Sequence, residues 1–455
     1  MTRNTTPQPM SPTDPNAAFS GLTHRNAEIS GILDRLRILQ PQEIATRDPK
    51  ERMLPLLEKL GNTHLKLPPV IHIAGTNGKG SVLAYLQAVF EAAGHPVHKF
   101  TSPHLVHFNE RIVTAGKDID DPLLKESLTA AETAINGQEI RFFDAITLAA
   151  FYAFARIPAD VLLLETGMGG RLDSTNIFDA PLCTALSAVS LDHTSVLGNT
   201  HEEIARTKSG IAKPDIPFLI GAQENSSVYD IASREAAARG AVPLCAGRDW
   251  MVSEENGLIK FSGTAHQWQM PRPAMAGTFQ IQNAGLALAM LEQIALGKKF
   301  YFTEQALTAG LQNAKWRGRL QRITAGPELA HLPENAALWL DGGHNASAAQ
   351  MLASEIQKWD KPADVILALS RKRDFREILT PLYKAARSIT LVPLENYEQA
   401  LYDLADLQAL IAETDFKTGF APSWREALRS LAPQAENILI AGSLYLAGDV
   451  LKEHG

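Results

Sequence analysis

Cysteine is nearly absent from this 455-residue chain: Cys183 and Cys245 are the only two, at no metal-type spacing. That argues against a disulfide framework and fits a reducing compartment. A basic excess is missing as well. Lys and Arg number 43 against 50 Asp and Glu, a net charge of −7 with no long basic run, so nucleic acid bound through bulk charge is not expected as a partner. No apolar stretch approaches the length that spans a bilayer, so no membrane partner is expected either. The opening "MTRNTTPQPMSPTDPNAAFSG" lacks the apolar core of a signal peptide and is rich in Thr, Pro, Asn and Ser. It reads as a disordered tail over residues 1–25, and the expected location is the cytoplasm.

What is present is the composition of a soluble globular protein, 45% hydrophobic and 20% charged, at a length that suggests about two or three domains. Strand-like and helix-like segments alternate through most of it. "DVLLLETG" (160–167), "LCTALSAVS" (182–190) and "PFLIGA" (217–222) are buried-strand candidates, with helical patterns such as "DAITLAAFYAFAR" (144–156) among them. This alternation predicts an α/β fold, a mostly parallel sheet with helices on both faces. Around 248–271, "DWMVSEENGLIKFSG" and "HQWQM" read instead as antiparallel strands with polar turns, followed by a helix over 279–296. A second alternating block runs through "AALWLDGG", "ADVILALS", "SITLVPL" and "ENILIAGS". The expected units are 26–314 and 315–455, with the boundary just before "RGRLQRI".

The stretch "HIAGTNGKGS" (72–81) carries the most chemistry. It departs from the Walker A spacing: only Thr76 and Asn77 separate Gly75 from Gly78-Lys79, and Gly80 intervenes before Ser81. Its context is nevertheless that of a phosphate loop. Val70, Ile71 and Ile73 form a buried-strand run before it, and Val82, Leu83, Leu86, Val89 and Phe90 follow at helical spacing up to Gly94. A strand, a glycine-rich turn and a helix N-terminus aim backbone N–H groups at an anion, the lysine adds a charge, and the serine hydroxyl can reach a metal or phosphate. The bland alternative is an ordinary turn with a solvated lysine.

Three further segments follow predicted strands, where open parallel sheets bind ligands. "LLLETGMGGRLDSTN" (162–176) supplies Glu165, a carboxylate able to hold magnesium, and Asp173, which would face a substrate; a turn with a capping Asp173 and a surface Arg171 is the alternative. "SLDHTSVLG" (190–198) places Asp192 and His193 at the same edge, although magnesium prefers oxygen ligands to imidazole. In "NTHEEIARTKSGIAKP", Thr200 and Glu203 form a capping box that opens a helix, and Lys213-Pro214 marks its expected end. Lys208 lies near that end, where a lysine is ordinarily favoured by the helix dipole.

Taken together, "GTNGKGS", "TSPHL" (101–105), "ETGMGGRLDSTN", "LDHT", "KSGI", "QNAGLAL" (282–288), "GRL" (318–320), "LDGGHN" (340–345) and "GSLY" (442–445) resemble, in order and spacing, the Mur ligase superfamily of ATP-dependent amide-bond-forming ligases. Within it they look like folylpolyglutamate synthase, in bacteria often bifunctional with dihydrofolate synthase. The match runs from about residue 70 to the end, and the extra Gly80 is characteristic of this branch. Too few residues precede the loop for the UDP-sugar domain of a cell-wall Mur ligase.

The resemblance implies an N-terminal P-loop-type ATPase domain with a small antiparallel part and a C-terminal Rossmann-like α/β domain. It implies ATP, magnesium at two sites and a monovalent cation as cofactors. Substrates would be dihydropteroate or a reduced folate with L-glutamate, and the protein a monomer. Gly75, Thr76, Asn77, Gly78, Lys79, Gly80 and Ser81 would hold ATP with Asn283, Arg319, Asp341 and His344. Ser102, Glu165, His193 and Lys208 match metal ligands, Lys208 as a carbamate. Lys79, His193 and Lys208 would carry the catalysis. Phe142, Phe143 and Asp144 with Leu172, Asp173 and Ser174 match segments that meet the pterin. Arg317 stands where proline is usual, Phe279 where histidine is frequent, Ser209 where alanine is usual, and "SRKRDF" (370–375) is an uncommon version of its loop. These departures bear on substrate preference rather than on reaction type. The expected reaction passes the γ-phosphoryl group of ATP to a carboxylate, and the glutamate amine then attacks the acyl phosphate. The competing expectations are a Mur-type cell-wall ligase and a non-catalytic nucleotide switch; a pure switch has no need of LDHT and KSGI beside a substrate-facing RFFD.

Overall fold

The computed structural model describes residues 24–41, 47–371, 374–394, 402–431 and 435–454. The tail expected over 1–25 lies outside the described residues up to residue 23. His24 and Arg25 belong instead to the folded chain. His24 Nδ1 accepts the Asn26 amide at 3.0 Å and its Nε2 donates to Asn109 Oδ1 at 2.9 Å. Asn26 in turn caps the Ala27–Ile38 helix through the Glu28 and Ile29 amides, which ties the two preceding residues to that helix.

Eight strands form the first sheet: β1 (Val70–Ala74), β2 (Val97–Phe100), β3 (Ile112–Thr114), β4 (Lys117–Asp118), β5 (Val161–Glu165), β6 (Cys183–Leu186), β7 (Pro217–Ile220) and β8 (Val242–Cys245). Their order is β4-β3-β2-β5-β1-β6-β7-β8. The six from β2 to β8 run parallel, and β3 and β4 add antiparallel pairs at one edge. Alternate residues feed two cores, as the period of a strand requires. Ile71, Ile73, Leu163 and Ala185 face the helices Lys79–Ala92, Phe279–Leu296 and Glu304–Asn313. Val70, Leu162, Leu164 and Phe100 face Ala27–Ile38, Asp121–Ile135 and Phe142–Phe154. Burial on both faces explains why these strands read as continuous apolar runs.

The segment 251–271 forms a separate antiparallel sheet of β9 (Met251–Glu255), β10 (Leu258–Ser262) and β11 (Gln267–Pro271), as its polar turns predict. The chain then builds a six-stranded sheet from β12 (Gln321–Ile323), β13 (Ala337–Leu340), β14 (Ala363–Leu367), β15 (Ser388–Leu391), β16 (Gly419–Phe420) and β17 (Asn437–Ala441), in the order β12-β13-β17-β14-β15-β16. Only β12 is antiparallel. Cores on both faces of this sheet make it a separate C-terminal α/β layer structure. In the "SRKRDF" loop, residues 372 and 373 lie outside the described residues.

Two elements end earlier than expected. The run 182–190 is strand only to Leu186, because Ser187 turns to donate its hydroxyl to the Asn77 carbonyl at 2.8 Å. The helix opened by the Thr200–Glu203 capping box stops at Lys208 rather than near Lys213. A 3-10 turn, Ser209–Ile211, replaces its continuation. There Gly210 packs directly on Arg171, a Cβ at Gly210 standing 2.7 Å from the Arg171 Cα. Asn176 Nδ2 also donates to the Gly210 carbonyl at 3.1 Å. A tertiary contact ends this helix.

Candidate active site

β1, β5 and β6 release three glycine- or serine-rich turns at one edge of the first sheet. The turn after β1 is the glycine loop. Gly75 (φ 152°) and Gly78 (φ 90°) have backbone conformations that L side chains rarely adopt. A Cβ on Gly75 would fall 1.9 Å from the Ser187 hydroxyl, and one on Gly78 2.5 Å from Asn283 Oδ1. The helix opens at Lys79 with Gly78 as its N-cap and no side-chain cap, which leaves the first-turn amides for an anion. Gly78 to Ser81 line a cavity of about 440 Å³ together with Glu165, Asn283, Arg319 and Asp341. Sequence-predicted residues from both halves of the chain thus line one cavity, whereas Gly75, Ser102, His193, Lys208 and His344 are not among its lining.

Within it the charges are tightly placed. Lys79 Nζ donates to the carbonyls of Gly75 (3.1 Å) and Thr76 (3.2 Å) and lies 3.6 Å from Glu165 Oε1. The other oxygen, Oε2, accepts the Ser102 amide at 3.2 Å. Burial pushes the Glu165 carboxyl up, and Lys79, the Ser102 amide and Arg319 oppose the rise. Lys208 is buried, its Nζ donating to the Gly75 carbonyl at 2.8 Å. Burial first, then the Lys79 charge, lowers its amine from an ordinary 10.5 to about 7, against the pull of Asp192, Asp173 and Glu165. Gly170 permits this placement, since a Cβ there would stand 2.5 Å from the Lys208 carbonyl. Ser81 is buried and accepts Gln280 Nε2 at 3.2 Å. Asn283 donates to Gln280 Oε1 at 2.9 Å. Ser209, which stands where alanine is usual, is buried, and its hydroxyl has no partner among the described residues.

From the C-terminal sheet, Asp341 follows β13. Its two oxygens accept the Leu320 amide (2.8 Å) and the Gly343 amide (2.6 Å), and burial raises its pKa against the Arg319 charge. His344 Nδ1 donates to the Gly342 carbonyl (3.0 Å), and its Nε2 stands 4.0 Å from Asp192. His193 has a left-handed backbone (φ 51°), and its half-exposed ring lies 3.7 Å from Asp192 Oδ1.

The residues expected to meet the substrate are held in a hydrogen-bonded network. Asp173 is buried. One oxygen accepts the Gly167 (2.9 Å) and Met168 (3.0 Å) amides, and the other accepts Thr175 through its amide (3.0 Å) and hydroxyl (2.5 Å). Four donors occupy it, so it shapes the glycine-rich turn. Asp144 is likewise buried, paired with Arg52 at 3.0 Å and Arg141 at 2.8 Å. Both arginines also donate to the Leu172 carbonyl. Ser174 is tied to Thr147 at 2.9 Å, and Phe142 is buried. Of the RFFD and LDS residues, Arg141, Phe143 and Leu172 keep partly open side chains. Phe143 stacks on Phe100 at 5.5 Å and presses on Gly167.

Sequence reasoning missed Arg52, which arrives from the Pro49–Lys59 helix, and Asn345. The Asn345 amide is buried. It exchanges hydrogen bonds with Asn77 of the glycine loop (3.2 and 3.3 Å), donates to Asp192 at 3.2 Å, and accepts the Ala348 amide at 2.9 Å. An asparagine just before a helical pattern is a cap signal, but its second role across the two sheets has no local signature.

Comparison with known proteins agrees with this geometry. Residues 328–453 match the family described as dihydrofolate synthetase, C-terminal domain. The chain is 30% identical over 428 residues to the dihydrofolate synthase/folylpolyglutamate synthase of Bacillus subtilis, covering 88% of this chain and 94% of that one. Among solved structures, Escherichia coli FolC in complex with DHPP and ADP superposes with a TM-score of 0.82 at 26% identity, over 93% of this chain and 97% of that one. A bifunctional folylpolyglutamate synthase/dihydrofolate synthase with Mn, AMPPNP and L-glutamate bound gives 0.78 at 26% identity, over 93% and 97%. A glycine loop facing a second α/β layer across one polar cleft defines an ATP-dependent ligase of the acid–amino-acid class. Within that class, the chain belongs to the dihydrofolate synthase/folylpolyglutamate synthase family.

Proposed function

We propose that the protein joins L-glutamate to dihydropteroate, a reduced folate or both, at the expense of ATP. The observation that carries this reading is the single cavity that unites the glycine loop, Glu165 and, from the C-terminal sheet, Arg319 and Asp341. A carboxylate is a poor acyl donor, so its oxygen must first take the γ-phosphoryl group, releasing ADP. The glutamate amine then attacks the acyl phosphate, and the tetrahedral intermediate collapses to amide and inorganic phosphate. Lys79 and the uncapped amides from Gly78 to Ser81 stabilise the charge that converges during transfer. Arg319 supplies the same from the other side of the cleft, and closure of the cleft keeps water from the acyl phosphate.

The donor set fits magnesium. Glu165 is a buried carboxylate with one oxygen held by the Ser102 amide, and the described residues hold no cluster of three or more acidic, His or Cys side chains. Magnesium is held in such sites by one or two carboxylates together with phosphate oxygens. Ser102, Glu165 and His193 would hold it, with Lys208 as a carbamate at a second site, and when bound it supplies charge neutralisation to the phosphates. The same reading includes a monovalent cation, a monomeric cytoplasmic protein, and units at 26–314 and 315–455. Among the described residues no helix is long and apolar enough to cross a membrane.

The test is phosphate release from ATP and magnesium with L-glutamate, offering dihydropteroate, a reduced folate or a UDP-muramoyl acid in separate arms. Release with either pteridine acid and none with the muramoyl acid is expected. Lys79→Ala should cut turnover about a hundredfold or more with the fold retained. Release only with the muramoyl acid, or glutamate-independent hydrolysis in every arm, would overturn the proposal.

A further inference from the structure

Gly80, the residue that separates the loop lysine from Ser81, is close to something the nucleotide does not need. A Cβ at Gly80 would stand 2.4 Å from two atoms of the Trp316 indole, Cε2 and Cζ2, and 2.6 Å from its Nε1. The indole therefore lies flush on the first turn of the loop helix. It is half-buried against the core shared with that helix. Over the ring stands Lys99 Nζ, 4.9 Å from a ring centroid.

Lys99 is unusual in its own right. It lies inside the sheet on β2, in register with Leu163 of β5 and Val113 of β3, and is 8% exposed. Among the described residues no carboxylate lies within 4.0 Å of its ammonium. Burial lowers its amine to about 8, opposed by the more distant Asp118, Glu91 and Glu165. A buried cation without an ion pair is costly, and an aromatic face is one of the few surroundings that offsets this.

Trp316 precedes Arg319 by three residues on the segment joining the last helix of the first layers, Glu304–Asn313, to β12. Between them Arg317 points to Glu110 at 3.9 Å. Gly318, at φ 65°, donates to Gln321 Oε1 at 2.9 Å and accepts the Gly342 amide at 2.8 Å. The linker is thus pinned to the loop helix at one end and to the Asp341 turn at the other.

We propose that Trp316, seated on Gly80 and faced by Lys99, is a positioning residue of the ligase reaction, fixing the linker so that Arg319 reaches the phosphates bound at the glycine loop. This rests on the ligase reading, and it gives the inserted glycine a physical role: a side chain at position 80 would lift the indole and carry Arg319 away.

The experiment compares Trp316→Leu, Trp316→Phe, Lys99→Met, Lys99→Arg and the double variant Lys99→Met/Trp316→Leu. Each is checked for folding by circular dichroism, then assayed for kcat at saturating ATP and for ADP affinity by titration. Trp316→Leu should lower kcat about tenfold or more, with ADP affinity changed less than about threefold, since the loop itself is untouched. Trp316→Phe and Lys99→Arg should recover most of the activity. Lys99→Met should cost about two- to thirtyfold beside Trp316 and nothing further beside Leu. Additive losses in the double variant, or full kcat in Trp316→Leu, would overturn the proposal. If Trp316→Leu does not fold, the same cycle is read with Trp316→Met, which fills the space without an aromatic face, and with the same outcomes. Wild-type turnover is measured first on the pteridine acids. If it occurs only with another acid, the ligase reading is revised while the coupling between Lys99 and Trp316 is read on that acid.

Discussion

Lys208 ends its helix at a place where lysines ordinarily reach solvent, yet here the side chain turns inward to the Gly75 carbonyl. With its amine lowered to about 7, a substantial neutral fraction exists near pH 7. The neutral amine is the form that adds CO₂, releasing a proton and leaving an anionic carbamate whose oxygen suits magnesium. Lys208→Ala is expected to lose most ligase activity, with partial recovery in millimolar acetate, measured by phosphate release. Lys208→Arg should not recover it, because a guanidinium keeps its charge; a fully active arginine variant would remove the carbamate from the mechanism. Lys99 makes a separate prediction about stability. Unfolded, its amine binds a proton below an ordinary 10.5, and folded only below about 8. Between those values the unfolded chain holds more protons, so stability rises with pH across that window and the penalty is full below it. Thermal midpoints of the nucleotide-free protein from pH 7.5 to 10 should therefore rise less steeply in Lys99→Met than in the parent. Equal slopes would show that Lys99 keeps an ordinary pKa. Neither lysine's burial is written in its neighbours along the chain, since both depend on what other segments lay over them.

At the level of elements, the seam between the two halves is built from helix starts. Thr278 opens the Phe279–Leu296 helix with no cap of its own, and Glu355 of the C-terminal half accepts both its amide (3.0 Å) and its hydroxyl (2.9 Å). In the opposite direction, Asn345 caps the Ala346–Ile356 helix while bonding Asn77 and Asp192. Asn345→Ser separates these duties, because serine caps about as well as asparagine but cannot span to the loop. The thermal midpoint should stay within about 3 °C, while kcat/KM for ATP falls about tenfold through the lost bridge. A drop in the midpoint with unchanged kinetics would reduce Asn345 to a cap. The strand, turn and helix from Val70 to Ala92 were legible because each has a local cause: an apolar run, left-handed glycines and a 3.6-residue period. The early stop at Lys208 was not, because Arg171 and Asn176 impose it from another turn.

Across the whole molecule, the loop that carries the predicted metal ligand Ser102 runs on into the C-terminal half. Leu105 packs against Gly318 and Gly448, and its carbonyl would lie 2.2 Å from a Cβ at Gly448. The cleft is therefore held on several sides, and a residue of one half can govern nucleotide use by the other. Arg319→Ala should raise the KM for ATP about tenfold or more and slow turnover, read by steady-state kinetics at varied ATP. Unchanged kinetics would show that Arg319 does not reach the nucleotide. By itself, the order of short motifs along the chain determined the family, the α/β class and the glycine loop, since these rest on backbone preferences and spacings internal to single segments. Only the tertiary structure decided which polar residues face the cleft. Asp144 and Asp173 look as available in sequence as Asp341. The fold ties the first two to Arg52, Arg141 and the amides of Gly167 and Met168 and brings Asp341 to the wall of the cavity, because a buried carboxylate must take whatever donors the fold brings within reach.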